Sequence, residues 1–122
     1  MFRGEITLEN KIKISKFDDG LVIKISGDLD SYKTLSYKTK ILQAMEKNEP
    51  LFLLFDLKDL TFLDSAGIGL ILGRYNDIKR VGGQVGLVGL SSYAAKIVKI
   101  SGLSSVIKTY KSVAQFKKEV RV

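Results

Sequence analysis

The stretch from Leu51 to Gly83, LFLLFDLKDLTFLDSAGIGLILGRYNDIKRVGG, decides the fold. It opens on Leu51-Phe52-Leu53-Leu54-Phe55, an unbroken apolar run that follows Asn48-Glu49-Pro50. A run so short, bounded by a turn and without alternation, reads as a strand covered on both faces, as in a parallel sheet. Asp64 or Ser65 then offers a helix start, and the helix is expected to run to about Arg80, with Gly82-Gly83 closing it. Gln84-Val85-Gly86-Leu87-Val88 is a second buried strand. Strand, helix and strand in this order make a parallel crossover, which is right-handed and lays its helix over the sheet.

The flanks extend the pattern. Upstream, Lys11–Phe17 alternates polar and apolar residues, Asp18-Asp19-Gly20 supplies a turn, and Leu21–Ile25 returns, so a hairpin is expected. A further short strand near Ile6–Leu8 carries a weaker version of the signal. Gly27, Asp28 and Asp30 break the alternation, and Asp30 or Ser31 caps a helix reaching about Lys47. Leu35, Leu42 and Met45, with Ile41 alongside, are its expected buried positions. Downstream, Ser91 or Ser92 caps a helix through Ile100, and Gly102 stands where a C-terminal glycine belongs. Ser105–Tyr110 is expected as a last strand, and Ser112 onward as an amphipathic helix through Val113, Phe116 and Val120. With 122 residues, the chain is expected to form one α/β domain with a largely parallel sheet.

Composition narrows the chemistry. The chain is 45% hydrophobic and 27% charged, which is a globular balance. It has no cysteine and no histidine, so disulfides, thiolate metal sites, a cysteine nucleophile and the serine–histidine relay are excluded. No apolar run approaches the roughly 20 residues that cross a bilayer, and the opening residues lack a signal-peptide core, so a cytoplasmic protein of bacterial type is expected. The net charge of +7 is unevenly placed: residues 1–61 carry 10 Lys/Arg against 10 Asp/Glu, and residues 62–122 carry 10 against 3. A basic half serves solubility, or attracts nucleic acid, anionic lipid or an acidic protein.

Within the decisive stretch, Gly67, Gly69 and Gly73 sit inside a helical pattern. Each costs about 1 kcal/mol relative to Ala, so some close approach must repay it. At Gly73 packing on the sheet is the expected reason; at Gly67 the approach of a partner and of the chain itself are both open. Neither phosphate motif fits. A dinucleotide fingerprint would need glycine where Leu72 stands, a P-loop would need Gly-Lys-Ser/Thr, and Asp64 at the helix start would repel an anion. Helix capping accounts for either Asp64 or Ser65. Only one is needed, which leaves a side chain at the strand-to-helix junction for other work.

The residues from Phe62 to Tyr75, with Ile78-Lys79 and Gly82-Gly83, resemble the signature of the anti-sigma factor antagonists, bacterial proteins with a STAS domain. Ser26-Gly27-Asp28-Leu29-Asp30 resembles an acidic loop of that family, and Ile100-Ser101-Gly102-Leu103 a late turn. The resemblance spans about residues 10–115 and covers one domain of the 122 residues. It implies a STAS-type α/β fold, with a mixed, largely parallel sheet of four or five strands and about four helices packed mainly on one face. It also implies a protein switch. The unphosphorylated antagonist binds an anti-sigma factor serine kinase and releases the sigma factor; phosphorylation then separates the partners, and a serine phosphatase reverses it. On this resemblance Ser65 is the phosphorylated residue, and Asp28, Asp30, Asp64, Ser65 and Gly67 form the partner-binding surface. ATP and magnesium would belong to the kinase, and the chain itself would need no cofactor or metal. Ala66 stands where many members have a second serine, which leaves Ser65 as the acceptor, and the basic second half is less typical.

Three other readings remain. A STAS subunit of a transporter or of a stress-sensing assembly would share the domain but not the sigma-factor partner. A hydrolase with Ser65 as nucleophile would need Lys79 or Lys58 as base, since no Gly-x-Ser-x-Gly elbow is present. A nucleic-acid binder would use Lys96, Lys99, Lys108, Lys111, Lys117, Lys118 and Arg121, although no recognition motif accompanies them.

Overall fold

In the computed structural model, which describes residues 5–8 and 11–120, thirteen elements follow in order. They are β1 (Glu5–Leu8), β2 (Ile12–Phe17), β3 (Gly20–Ile25), β4 (Gly27–Leu29), α1 (Ser31–Asn48), β5 (Phe52–Asp56), β6 (Leu60–Leu63), α2 (Ser65–Arg80), β7 (Gln84–Val88), α3 (Ser92–Ile100), a 3-10 turn (Leu103–Ser105), β8 (Lys108–Tyr110) and α4 (Val113–Val120). The main sheet has the order β1-β2-β3-β5-β7-β8. Its first three strands are antiparallel, and β3, β5, β7 and β8 run parallel. One cross-sheet row, Ile23–Phe55–Leu87, shows the register. The mixed, largely parallel sheet expected from the sequence is present, with β1 added at its edge.

The central strand explains the pattern. Leu53, Leu54 and Phe55 are fully buried, with Leu53 and Phe55 facing one core and Leu54 the other. The first core is covered by α1, α2 and α3, through Tyr37, Ile41, Ala44, Ile71, Ile78, Ala94 and Val98. The second is covered by α4 alone, where Phe116 meets Tyr110 and Phe17 edge-on at 5.0 and 6.2 Å. Gly86 in β7 makes this possible, since a Cβ there would lie 2.6 Å from Tyr110 and 2.8 Å from Phe116. Three helices on one face and one short helix on the other is the arrangement that the resemblance implied.

Several expectations change in detail. The buried stripe of α1 is Tyr37, Ile41 and Ala44, with Met45 packed against it, while Leu35 and Leu42 are exposed at 74% and 37%. An aromatic residue and an alanine at i, i+4 and i+7 spacing complete the face that Leu35 and Leu42 were expected to form. The break at Gly27–Asp30 contains β4, which pairs in parallel with β6 through Asp28–Phe62 and Leu29–Leu63, a strand pair too short to announce itself by periodicity. The last strand is confined to Lys108–Tyr110, because Gly102 takes φ +83° and its carbonyl accepts from the Ser105 N–H, winding residues 103–105 into a turn.

Candidate functional site

The small β4–β6 sheet sets two helix starts side by side. Each strand leads directly into a helix through an aspartate: Asp30 before α1 and Asp64 before α2. Both aspartates have the extended backbone of an N-cap. Asp30 Oδ1 accepts from the N–H groups of Tyr32 and Lys33 at 3.0 and 3.2 Å. Asp64 Oδ1 accepts from Ala66 and Gly67 at 3.0 and 3.1 Å. Its second oxygen crosses to the other helix and accepts from the Ser31 N–H at 3.1 Å. One half-buried carboxylate therefore closes the starts of both helices and fixes their spacing.

With the cap assigned to Asp64, Ser65 is the first residue of α2. It is exposed, and its hydroxyl takes part in no hydrogen bond with the described residues. Asp28 is exposed on β4, where Asp28 Oδ1 accepts from the Thr61 hydroxyl at 3.0 Å. Asp28 thus lies within β4, Asp30 and Asp64 directly follow the paired strands β4 and β6, and Ser65 follows Asp64.

Gly67 has a different place. It is buried, and a Cβ there would lie 2.6 Å from Leu63 Cδ1 and 2.7 Å from the Leu29 carbonyl oxygen. The close approach at Gly67 is by the chain's own β4 and β6, so the backbone, not a partner, explains this glycine. Gly73 departs from expectation in the other direction: neither it nor Gly69 has anything within 4 Å of a built Cβ, so packing does not require them.

Apolar side chains also stand at this end of the molecule. Tyr32 is 91% exposed, and Leu35 and Phe62 also stand out in solvent, so apolar surface borders the carboxylates. Arg74, embedded in the apolar pattern of α2, is buried with its Nε donating to Asp77 Oδ2 at 2.9 Å. A lone arginine among apolar helix positions was the available signal.

Two competing chemistries lose their geometry. Lys79 lies fourteen residues down α2 from Ser65, about 21 Å at the helical rise, and Lys58 precedes β6 at its far end from Ser65. Neither is placed to deprotonate that hydroxyl. The C-terminal lysines do not form one face. Lys96 and Lys99 lie on α3, whereas Lys117 and Lys118 lie on α4 across the sheet; Lys117 rests over the Phe17 ring and Lys108 is paired with Glu119 at 2.8 Å. Arg121 lies outside the described residues. Among the described residues no group of His, Cys, Asp or Glu side chains is arranged to hold a metal ion, and no helix is long and apolar enough to cross a membrane.

Known proteins share this fold. The model of the STAS domain matches residues 11–116. An anti-sigma F factor antagonist from Paenibacillus polymyxa is 29% identical over 90 residues, covering 74% of this chain and 77% of that protein. The anti-sigma factor antagonist SpoIIAA in its unphosphorylated form superposes with a TM-score of 0.78 at 23% identity, over 91% of this chain and 97% of the other. The Bacillus cell fate determinant SpoIIAA in the phosphorylated form gives 0.69 at 24% identity, over 88% and 97%. The chain belongs to the STAS domain family, and along most of its length it is similar to anti-sigma factor antagonists.

Proposed function

We propose that this protein is an anti-sigma factor antagonist that works by partner switching in the cytoplasm. In its unphosphorylated form it binds an anti-sigma factor serine kinase and so frees the sigma factor. The kinase, which carries ATP and magnesium, transfers a phosphoryl group to the Ser65 hydroxyl. The complex then separates, and a serine phosphatase restores the binding form. The observation that carries this reading is the exposed Ser65 hydroxyl, left over because Asp64 supplies the cap of α2.

The physics of the switch follows from the neighbours. Phosphorylation adds a charge of about −1.5 to −2 at a position that adjoins Asp64 and shares its end of the sheet with Asp30 and Asp28. In the free chain water screens these charges: two unit charges 4 Å apart repel by about 1 kcal/mol in bulk water. Under a docked partner the effective dielectric falls toward about 20, and the same pair repels by about 4 kcal/mol. The difference of about 3 kcal/mol corresponds to more than a hundredfold in affinity. No refolding is required, because the repulsion rises about fourfold when the surface is covered. Asp28, Asp30, Asp64 and Ser65 would face the partner, and Gly67 would contribute from below by letting α2 start so close to Leu29.

The test is phosphorylation itself. The chain is incubated with ATP, magnesium and each kinase-type anti-sigma factor of its genome, and the modified residue is mapped by mass spectrometry. One kinase is expected to modify Ser65 and to leave Ser65→Ala unmodified. A phosphate on another residue, or none from any of these kinases, refutes the reading.

A further inference from the structure

Beyond the Ser65 end, α1 and α2 part to leave a groove of about 350 Å³. Leu35 and Lys38 of α1 form one side; Ala66, Gly69 and Gly73 run along α2 as its floor, and Arg74 lines its far end. The two glycines are not needed by the fold, since a Cβ on either would meet nothing within 4 Å. Glycine within a helix lowers its stability, so the space they leave open has a cost without a packing return.

Arg74 gives the groove a chemical preference. The residue is only 7% exposed. Its Nε donates to Asp77 Oδ2, but Asp77 also accepts from Arg80 Nη1 at 3.0 Å, so one carboxylate serves two guanidinium groups. Arg74 Nη1 is buried and has no hydrogen-bond partner among the described residues. Buried donors are nearly always paired, and a planar guanidinium matches a carboxylate best. Lys38 adds a second cation, and no carboxylate lines the groove. This end of the surface is therefore electropositive, opposite in sign to the end that holds Asp28, Asp30 and Asp64.

We infer that this groove receives a carboxylate-bearing segment of the protein partner, with the acidic group accepting from Arg74 and an apolar neighbour resting against Leu35 and the glycine floor. A protein is favoured as occupant because the groove begins at Ala66, beside Ser65, and its rim carries the solvent-facing Leu35, with Tyr32 nearby on the same helix. From Ser65 to Arg74 is nine residues of helix, about 13 Å. The partner must then present an acidic group about 13 Å along the axis of α2 from Ser65, which fixes the direction in which it lies on that helix. The inference rests on the proposed docking function for the identity of the partner, but the carboxylate site can be tested without it.

The test uses the isotope-labelled chain and two peptides, N-acetyl-Leu-Glu-amide and its neutral isostere N-acetyl-Leu-Gln-amide, followed by NMR. The acidic peptide is expected to shift the Arg74 Nε–H and the Gly69 and Gly73 amide signals saturably, and the neutral peptide to bind at least tenfold more weakly. Gly69→Leu fills the groove without touching a charge and is expected to abolish these shifts while the rest of the spectrum keeps the native pattern. The titrations use the unphosphorylated chain with no kinase present, so that failure of the phosphorylation switch and failure of the groove are separate results. Equal binding of the two peptides, shifts confined to the lysines of α3 or α4, or full binding to Gly69→Leu would each overturn the inference.

Discussion

Replacing Asp64 by alanine should destabilise the protein more than replacing Asp30, because Asp64 holds two helices and Asp30 only one. The Asp64 carboxylate accepts three backbone N–H groups, from Ala66, Gly67 and Ser31, whereas Asp30 accepts two within its own helix. Loss of an aspartate cap costs about 1 kcal/mol, and its interaction with the helix dipole adds about 0.5 kcal/mol. The bond to Ser31 adds about 0.5–1 kcal/mol, since an exposed N–H can turn to water. Asp64→Ala is therefore expected to cost about 2 kcal/mol and Asp30→Ala about 1–1.5 kcal/mol. For a chain of 122 residues, 2 kcal/mol lowers Tm by about 8 °C. Urea unfolding followed by far-ultraviolet circular dichroism measures both variants. Asp64→Asn, which keeps the side-chain acceptor for the cap, should recover at least half of the loss. A cost for Asp64→Ala equal to or below that of Asp30→Ala would refute the bridging role.

The glycines of α2 should separate by sign. Gly67→Ala drives a Cβ against the Leu29 carbonyl and Leu63 and should cost about 2 kcal/mol, whereas Gly69→Ala and Gly73→Ala should each stabilise by about 0.5–1 kcal/mol in the same urea titration. Gly86→Ala should displace Phe116 and loosen α4, seen as faster hydrogen exchange in residues 113–120 with α1–α3 still protected. Stability should fall at alkaline pH. Burial raises the Tyr110 phenol above its ordinary 10.0, and the hydrogen bond to Glu119 raises Lys108 above its ordinary 10.5. Both groups favour the protonated form in the folded chain, so their contribution is complete below about pH 10 and is lost as pH rises through the folded values. The urea midpoint should drop above pH 10, and Tyr110→Phe should reduce that drop.

Much of this was legible because the signals were local. Asp30, Asp64 and Ser91 are short polar side chains before apolar periodicity, and each caps the helix expected after it. The doubly buried run of β5 announced a parallel sheet because both of its faces needed apolar residues. What the sequence hid depends on partners distant in the chain. Tyr37 buries in place of Leu35 because of where α1 meets the sheet, and no property of residues 31–48 alone fixes that rotation. Gly67, Gly69 and Gly73 look alike in sequence, yet only the first lies against a neighbouring strand, and that strand, β4, is visible only through its pairing with β6. The Ser65 hydroxyl was legible as a candidate, and Asp64 caps α2 in its place, but the tie from Asp64 to Ser31, a contact between residues 33 positions apart, was not legible.

In the proposed switch, charge placed on Ser65 ejects a docked partner. The most direct measurement is calorimetric titration of the kinase-type anti-sigma factor with the unmodified chain and with the same chain phosphorylated at Ser65, at one salt concentration. The phosphorylated chain should bind at least a hundredfold more weakly, with its circular dichroism unchanged. Affinities that agree within threefold would contradict the switch.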